Sequence, residues 1–170
     1  MKNRRCIAAW RGWIVLASVF ALSACGFHLR GAQQLPFESL YLGISEYSEL
    51  GAALKRNIRA AGGTRLTDKP EDAQAVLAVV GEARERIILS LSAAGRVREL
   101  QLRYRFIFRV HDNKGKEFVP QSEIVLKRDL TYDDSVVLAK EQEEVLLYRD
   151  MQNDLVQQIM RRLAAAKAQG

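Results

Sequence analysis

Side chains capable of acid–base, nucleophilic or metal chemistry are few in this sequence and form no catalytic motif. The two histidines, His28 and His111, lie far apart in segments of different pattern, which argues against a shared metal site. Glu143-Glu144 falls in a helical stretch, where adjacent residues do not face each other, and Asp133-Asp134 precedes it. No His-Glu-x-x-His, Gly-x-Ser-x-Gly, Walker or Gly-x-Gly-x-x-Gly motif is present in the sequence. We therefore expect no enzyme and no metal site, and we interpret His111 as a turn residue.

Cys25 is the residue whose sequence context predicts a specific chemical modification. Residues 1–24 begin with basic side chains, continue with an apolar run and end in small residues, which is the pattern of a secretory signal. The apolar run, residues 14–22, covers nine positions and is shorter than the ~20 residues that a bilayer-spanning helix needs. We therefore expect a signal peptide over residues 1–24 that is cleaved.

Leu22-Ser23-Ala24-Cys25 is similar to the lipoprotein box of bacterial lipoproteins. That resemblance implies cleavage before Cys25, a diacylglycerol on its sulfur and an acyl chain on the new amine, and we expect no other cofactor. Two or more acyl chains anchor a protein stably where one is marginal, since each buried CH₂ contributes about 0.8 kcal/mol. Gly26 in the next position resembles lipoproteins that are sent to the outer membrane. An incidental or buried cysteine is the alternative interpretation.

The charge balance argues against a nucleic-acid-binding protein. The sequence has 26 Lys and Arg against 20 Asp and Glu. Four of the basic residues and none of the acidic ones lie in residues 1–24, so the remainder carries 22 basic and 20 acidic side chains, a net charge of +2. A nucleic-acid-binding domain is expected to carry a strong basic excess. Because Cys6 lies in the signal and Cys25 is acylated, no disulfide is expected and packing must stabilise the fold.

The expected mature chain, residues 25–170, is long enough for one domain that buries roughly two thirds of its unfolded surface. We predict a lipidated N-terminus and tether at 25–36, a single domain at 37–166 and a tail at 167–170. The domain opens with a short strand, on which Leu40, Leu42 and Ile44 share a face, and Ser45 is placed to cap the helix that follows. The apolar positions of that helix recur at spacings of three and four, before Gly62-Gly63 ends it: Tyr47, Leu50, Leu54, Ile58 and Ala61.

Three long runs of alternating residues come next and predict an antiparallel meander. The first run, residues 75–91, is interrupted at Gly81 and Ala83, which is typical of a bulge or of a close packing site. The second and third runs are joined by Asp112-Asn-Lys-Gly115, a hairpin turn in which Gly115 is free to adopt positive φ. The predicted core-facing residues are Leu77, Val79, Ile87, Leu89 and Leu91 in the first run, Leu100, Leu102, Tyr104, Phe106, Phe108 and Val110 in the second, and Ile124, Leu126, Leu130 and Tyr132 in the third.

A long C-terminal helix over residues 135–168 completes the predicted domain. Glu144 is among its predicted solvated residues. The predicted fold is therefore α+β in the order β-α-β-β-β-α, with two helices packed on one face of a four-stranded, mostly antiparallel sheet. The predicted core stripe of the long helix contains Val145, Tyr148, Met151, Leu155, Val156, Ile159 and Leu163.

Four segments together resemble the LptE family of lipopolysaccharide-assembly lipoproteins: Cys25-Gly-Phe-His-Leu-Arg-Gly31, Asn57-Ile-Arg-Ala-Ala-Gly62, Gln101-Leu-Arg-Tyr104 and Leu138-Ala-Lys140. The resemblance covers nearly the whole expected mature chain, and its first segment is the most specific. It implies a non-enzymatic protein, lipid-anchored on the periplasmic face of the outer membrane, that sits as a plug in the LptD β-barrel and assists lipopolysaccharide delivery to the outer leaflet.

The resemblance also implies which residues meet lipopolysaccharide. A family lysine corresponds to Lys140, and a family basic residue near the loop before the third strand is replaced here by Arg96 and Arg98, which match by proximity only. Arg128 is a further candidate, although its position on an apolar face favours pairing with an acid as readily as ligand contact. Phosphates on lipid A are the expected partners of these cations. The alternative for Arg96 and Arg98 is an ordinary solvated role at a strand end.

The sequence leaves open the role of a further group of basic residues and two other functions for the protein. Arg103, Arg105 and Arg109 form the most regular basic row, which either a barrel wall or solvent would explain. A lipid-anchored adaptor or scaffold of another outer-membrane assembly machine would need the same anchor and fold without lipopolysaccharide binding. An envelope hydrolase would need a catalytic constellation that the sequence does not contain.

Overall fold

Three long strands and two helices form most of the chain that the structure describes. The computed structural model describes residues 34–45, 47–132 and 136–166. The predicted α+β class is confirmed, with both helices contributing to one hydrophobic core on one side of a mostly antiparallel sheet. The elements are β1 (Ser39–Gly43), α1 (Glu49–Ala61), β2 (Arg65–Thr67), a 3₁₀ turn (Pro70–Asp72), β3 (Ala75–Leu91), β4 (Val97–His111), β5 (Glu117–Thr131) and α2 (Val137–Ala165).

The sheet has the strand order β2-β1-β3-β4-β5 in the described part of the chain. Strand β1 runs parallel to both β2 and β3, whereas β3, β4 and β5 form the predicted antiparallel meander. The sequence predicted four strands and missed β2. This strand pairs over only three residues, starting at Ser39 opposite Arg65, and three residues are too few to show an alternating pattern.

The turn between β4 and β5 has the predicted glycine geometry. Gly115 has a φ of 89°, in the region that glycine adopts without steric cost. The carboxylate of Asp112 accepts hydrogen bonds from the backbone N–H groups of Lys114 and Lys116, each at 2.8 Å. These bonds, first the one from Lys116, stabilise the charged form and lower the pKa of Asp112 below its ordinary value.

Helix α1 begins later than its pattern predicts. Its N-cap is Ser48, whose hydroxyl accepts a hydrogen bond from Gly51 N at 3.4 Å, so the prediction of Ser45 as the cap was wrong. Ser45 instead belongs to the turn before the helix, where its carbonyl accepts from Ser48 N at 3.0 Å. Tyr47 consequently lies outside the helix and is fully exposed, whereas Leu50, Leu54 and Ile58 are buried as predicted.

Helix α2 is buried along its C-terminal half and more exposed along its N-terminal half. Val145 was predicted to lie in the core but is 68 % exposed, and Glu144, predicted to be solvated, is 9 % exposed. The cause is that α1 has 13 residues and α2 has 29, so the shorter helix covers only part of the longer one. The confirmed core residues of α2 are Met151, Leu155, Val156, Ile159 and Leu163.

A β-bulge in β3 changes which of its residues face the helices. Val79 lies opposite Phe108, but the next paired residue, Gly81, lies opposite Ile107, so Val80 is an extra residue in the strand. A single inserted residue transfers every following side chain to the other face of the sheet. Because of this shift, Leu77 and Val79 do not share a face with Ile87, and the prediction that they do was wrong. The interruption predicted at Gly81 is confirmed as a bulge.

Candidate functional site

Beyond the bulge, three polar residues of β3 point towards α2. Glu82, Arg84 and Arg86 lie opposite Phe106, Tyr104 and Leu102, which are residues of the helix-covered face of β4. The interface between β3 and α2 therefore changes from apolar to polar along the strand. We call the polar residues between the helix-covered face of the sheet and α2, with Arg128 contributed by β5, the polar layer: Glu82, Arg84, Arg86, Arg128, Glu144, Gln152 and Asp154.

Ion pairs and hydrogen bonds join the two sides of the polar layer. Arg86 Nε donates to Glu144 Oε1 at 2.8 Å, and Arg84 Nη2 donates to Gln152 Oε1 at 3.0 Å. From β5, on the other side of β4, Arg128 Nη2 donates to Asp154 Oδ2 of α2. Sequence reasoning left open whether Arg128 pairs with an acid, and the structure shows that it does.

Tyr104 lies at the boundary between the polar layer and the core. It is 1 % exposed, and its hydroxyl donates to Glu82 Oε1 at 2.5 Å. The guanidinium of Arg84 lies 4.7 Å from the Tyr104 ring centroid and 5.5 Å from that of Tyr148, within cation–π range of both. Burial, and then the neighbouring Glu82, raise the pKa of Tyr104 to about 12.

Tyr148 attaches the N-terminal half of α2 to the edge of β3. Its hydroxyl donates to the backbone carbonyl of Glu85 at 3.1 Å. Burial, and then the charge of Glu144, raise its pKa above the ordinary value. The first three turns of α2 therefore meet the sheet through polar contacts as well as through the partly buried Leu147.

An aliphatic row follows the polar layer towards the β3–β4 turn. Ile88, Leu100 and Leu130 lie opposite one another on β3, β4 and β5. Leu100 and Leu130 are buried, yet they are separate from the main hydrophobic core, because Arg86 and Arg128 flank Leu102 in the preceding row. We call Ile88, Leu100 and Leu130 the distal aliphatic row.

The structure brings three of the predicted lipopolysaccharide-binding residues to this end of the molecule. Lys140 lies one helical turn before Glu144, and its Nζ donates to Glu143 Oε2 at 2.8 Å. Arg96 lies in the β3–β4 turn, where its carbonyl accepts from Ser92 N at 2.7 Å. Arg98 is the second residue of β4, and its carbonyl accepts from Tyr132 N at 2.8 Å. Arg128 lies in the polar layer of the same half.

The arginine row lies on the opposite face of the sheet, as its alternation predicts. Arg103 pairs with Glu85 and Arg105 with Glu123, each at 3.6 Å between nitrogen and oxygen. Arg109 belongs to the same exposed face of β4. Both ion pairs are partly or largely exposed, which makes them weak in stability terms.

The remaining candidates give no catalytic or metal-binding geometry within the described ranges. His111 lies at the end of β4, and its Nδ1 donates to the carbonyl of Asp112 at 2.7 Å. Within residues 34–45, 47–132 and 136–166, no three potential metal ligands cluster. In the same residues, no helix has the length and apolar character that crossing a membrane requires. The predictions for Cys25, His28 and Asp133-Asp134 concern residues outside the described part of the chain.

Sequence reasoning missed Arg84, Arg86 and Glu144 as a group. Glu144 was predicted to be solvated because it stands among other charges, and the two arginines were not singled out. The signal that could have identified them was Gly81, since a bulge there changes the face of the residues that follow it as far as Ile88.

A comparison with known protein families shows to which family this chain belongs. The family model described as "LptE: Lipopolysaccharide-assembly" matches residues 37–163, which is most of the sequence. The chain belongs to the LptE family. The matched range contains three of the four resembling segments, at residues 57–62, 101–104 and 138–140, and the fold class agrees with the predicted one.

The chain is also similar to individual lipoproteins, one curated relative and two solved structures among them. The LPS-assembly lipoprotein LptE of Photorhabdus laumondii is 27 % identical over 153 residues, covering 88 % of this chain and 78 % of the relative. The solution NMR structure of lipoprotein B from Nitrosomonas europaea is 41 % identical, with a TM-score of 0.70 over 82 % of this chain and 91 % of that one. The crystal structure of rare lipoprotein B from Shewanella oneidensis is 31 % identical, with a TM-score of 0.64 over 75 % and 94 %.

Proposed function

We propose that this LptE-family protein is an outer-membrane lipoprotein, anchored on the periplasmic face through acyl chains on Cys25. In this proposal it occupies the LptD β-barrel as a plug and binds lipopolysaccharide during delivery to the outer leaflet. The observation that carries the lipopolysaccharide part is the placement of Lys140, Arg96 and Arg98 at one end of the domain. Cations grouped in this way suit the phosphates of lipid A.

The two faces of the sheet suit the proposed position inside a barrel. The lumen of a transmembrane barrel is polar. The outer sheet face carries charged side chains such as Arg103, Arg105 and Lys127, while the other face is covered by helices. A domain that presents charged groups outward and packs its apolar groups inward fits such an environment.

The partner is tested by purifying the lipidated protein from its own outer membrane and identifying what accompanies it. We expect a large β-barrel protein in stable stoichiometry. A Cys25→Ser variant serves as the control, since it cannot carry the sulfur-linked diacylglycerol, and we expect less of it in the outer-membrane fraction. Recovery of the wild-type protein without any barrel would overturn the proposed plug role while leaving the fold intact.

Lipopolysaccharide binding is tested by removing the charge at Lys140, Arg96 and Arg98 together. We expect the triple alanine variant to bind purified lipopolysaccharide at least tenfold more weakly, because hydrogen bonds to charged groups contribute about 1.5–3 kcal/mol each. The matched control removes three charges from the opposite face: Arg103, Arg105 and Arg109 to alanine. Equal affinities of the two triple variants for lipopolysaccharide would contradict the proposed binding site. Circular dichroism and thermal unfolding verify that each variant is folded.

A lipid-anchored adaptor without lipopolysaccharide binding is the second candidate function. It is favoured by the observation that Lys140 and Arg128 already have acidic partners, Glu143 and Asp154. Under this alternative the charged residues serve only the fold and solvent. The wild-type protein would then bind no lipopolysaccharide, which separates the two candidates directly.

A further inference from the structure

One stripe of α2 is buried along its C-terminal half and exposed along its N-terminal half. Its positions follow one another at alternating spacings of four and three, which keeps them within a band about 100° wide on the helix surface. The last four members are at most 8 % exposed, whereas Leu138 is 70 % and Val145 is 68 % exposed. We call this set the α2 stripe: Leu138, Gln142, Val145, Arg149, Gln152, Val156, Ile159 and Leu163.

The exposed half of the α2 stripe is a continuous surface, because the helix itself fixes the positions of its side chains. Gln142 lies between Leu138 and Val145, four residues after the first and three before the second, and residues at these spacings are neighbours on a helix. Leu146, which is 62 % exposed, follows Val145 and widens the strip. Three exposed apolar side chains therefore adjoin along about two turns of α2.

The buried half of the α2 stripe indicates what kind of element covers such a surface. Its apolar members share one hydrophobic core with residues of α1. Gln157 Nε2, next to Val156, donates to Asn57 Oδ1 of α1 at 3.4 Å. Since α1 has 13 residues and α2 has 29, this cover ends before the exposed half begins. A second helix laid on the exposed half would continue it.

The charges on either side of Val145 identify that helix as another copy of α2. Glu141 lies four residues before Val145 and Arg149 four residues after it, so the three share an i±4 ridge. Among the residues that the structure describes, neither of the two charges belongs to an ion pair. An antiparallel copy that crosses at Val145 brings each Glu141 beside the other copy's Arg149, whereas a parallel copy would bring like charges together.

We propose that the exposed half of the α2 stripe docks a second copy of this chain, with the two α2 helices antiparallel and Val145 on the twofold axis. Such a contact uses the same surface on both copies, so it closes as a dimer and does not extend into a filament. A contact of about three turns on each helix falls below the ~1,000 Å² of a stable interface, which makes the dimer weak and transient. The proposed function does not include this contact.

A cysteine at the twofold axis detects the dimer directly. The sequence contains two cysteines, and only Cys25 lies in residues 25–170. In its own outer membrane, we expect the full-length Val145→Cys variant to form a disulfide-linked homodimer under mild oxidation with copper phenanthroline. A disulfide needs Cα atoms within about 7 Å of each other, so exposure alone does not produce it. Val125→Cys is the matched control, since Val125 is 42 % exposed but lies on β5, and the wild-type protein gives the background.

Reversing the charges tests the antiparallel pairing. In the Val145→Cys background, Glu141→Arg alone and Arg149→Glu alone should each lower the homodimer yield about tenfold, because each places two like-charge pairs across the contact. The two reversals together should restore the yield to within about threefold, because the pairs are then opposite in charge again. Both residues are exposed, and circular dichroism verifies that each variant is folded.

The outcomes distinguish this inference from the proposed function. Equal homodimer yields from the cysteines at positions 145 and 125, or a double reversal that stays as low as the single ones, would overturn the dimer. A benzophenone maleimide attached to the Val145→Cys variant identifies any other neighbour. If it links only to a different protein, the surface contacts that protein and the dimer is overturned. If the homodimer forms but no barrel co-purifies with the wild-type protein, the dimer stands and the proposed plug role fails.

Discussion

Helix α2 is expected to open in two stages, because its two halves are held by different interactions. The C-terminal half buries four large apolar side chains almost completely, each worth about 1.5–3 kcal/mol, or roughly 6–12 kcal/mol together. Residues 137–148 are held by the Arg86–Glu144 pair, by the hydrogen bond from Tyr148 to Glu85 and by the partly buried side chains of Leu147 and Tyr148 at the end of the segment. The ion pair and the hydrogen bond contribute about 0–1.5 kcal/mol each. The four apolar residues are Met151, Leu155, Ile159 and Leu163.

The substitution Glu144→Ala tests this difference. It removes the acceptor of Arg86 and leaves the arginine, whose side chain is largely exposed, free to be hydrated. We expect the opening free energy of amides in residues 141–147 to fall by about 0.5–1.5 kcal/mol, which is a roughly 2- to 13-fold faster exchange. Amides of residues 155–163 are expected to keep their protection, because their side chains lie in the core.

Native-state hydrogen exchange followed by NMR measures both halves in one experiment. The control is Glu143→Ala, which removes the adjacent acid and its bond to Lys140 but not the pair with Arg86. We expect this variant to change exchange by less than Glu144→Ala. The reasoning would be refuted if both halves of the wild-type helix exchanged with the same free energy, or if Glu144→Ala accelerated them equally.

Three further perturbations test single features of the fold. The first is a titration followed by tyrosinate absorbance, in which one of the five tyrosines should ionise near pH 12 and this step should be absent from Tyr104→Phe. Because the pKa of Tyr104 is raised in the folded protein, stability should also fall as the pH rises from 10 through 12. A titration without this late step would contradict the burial of Tyr104 beside Glu82. Gly43→Ala should lower the free energy of unfolding by about 1–3 kcal/mol in urea denaturation, because a Cβ would lie 2.9 Å from the carbonyl oxygen of Leu77; an unchanged midpoint would contradict that clash. Lowering the pH through the depressed pKa of Asp112 should protonate its carboxylate and weaken the β4–β5 turn. The amide resonances of Lys114 and Lys116 should then shift in the wild-type protein but not in Asp112→Asn. Chemical shifts of these amides that do not depend on pH would contradict the role of the carboxylate.

Alternation was a sufficient guide in β4, which keeps its own period of two from Leu100 to Val110 although its partner β3 contains a bulge. In β4, the even-numbered residues from Leu100 to Val110 were predicted to be buried, and all of them are. This central strand has no inserted residue of its own before the end of its pairing with β5, so a period of two holds along nearly its whole length. The basic row on the opposite face follows from the same period.

Residues whose environment depends on distant elements could not be predicted from local pattern. Glu144 is nearly buried because Arg86 reaches it from 58 positions away. Val145 is exposed because α1 ends before it can cover that part of α2. For Arg128 the pattern indicated partial burial and pairing, but not that the partner would be Asp154 on the last helix. Helix length and strand register determine these contacts, and neither can be inferred from the residues next to them in the sequence.

The bulge at Val80 gives a final test of how the polar layer arises. Deleting Val80 would remove the inserted residue and restore a period of two from Val79 to Ile88, with Gly81 and the residues after it opposite the same partners and Arg84 and Arg86 still on the helix-covered face. We expect this deletion to change the free energy of unfolding by less than about 1 kcal/mol, because the hydrogen bonds of Arg84 and Arg86 to α2 are kept.

Urea denaturation compares the deletion with Val80→Ala, which keeps the residue count and changes only a half-exposed side chain. The late ionisation of Tyr104 should be kept in both variants, because Glu82 still lies opposite Phe106 and accepts the Tyr104 hydroxyl. A large loss of stability or an earlier ionisation of Tyr104 in the deletion variant alone would mean that the strand keeps a bulge at another residue and turns Arg84 and Arg86 to the other face. In that case the inserted residue, and not the contact with α2, would be what holds the two arginines on the helix-covered face.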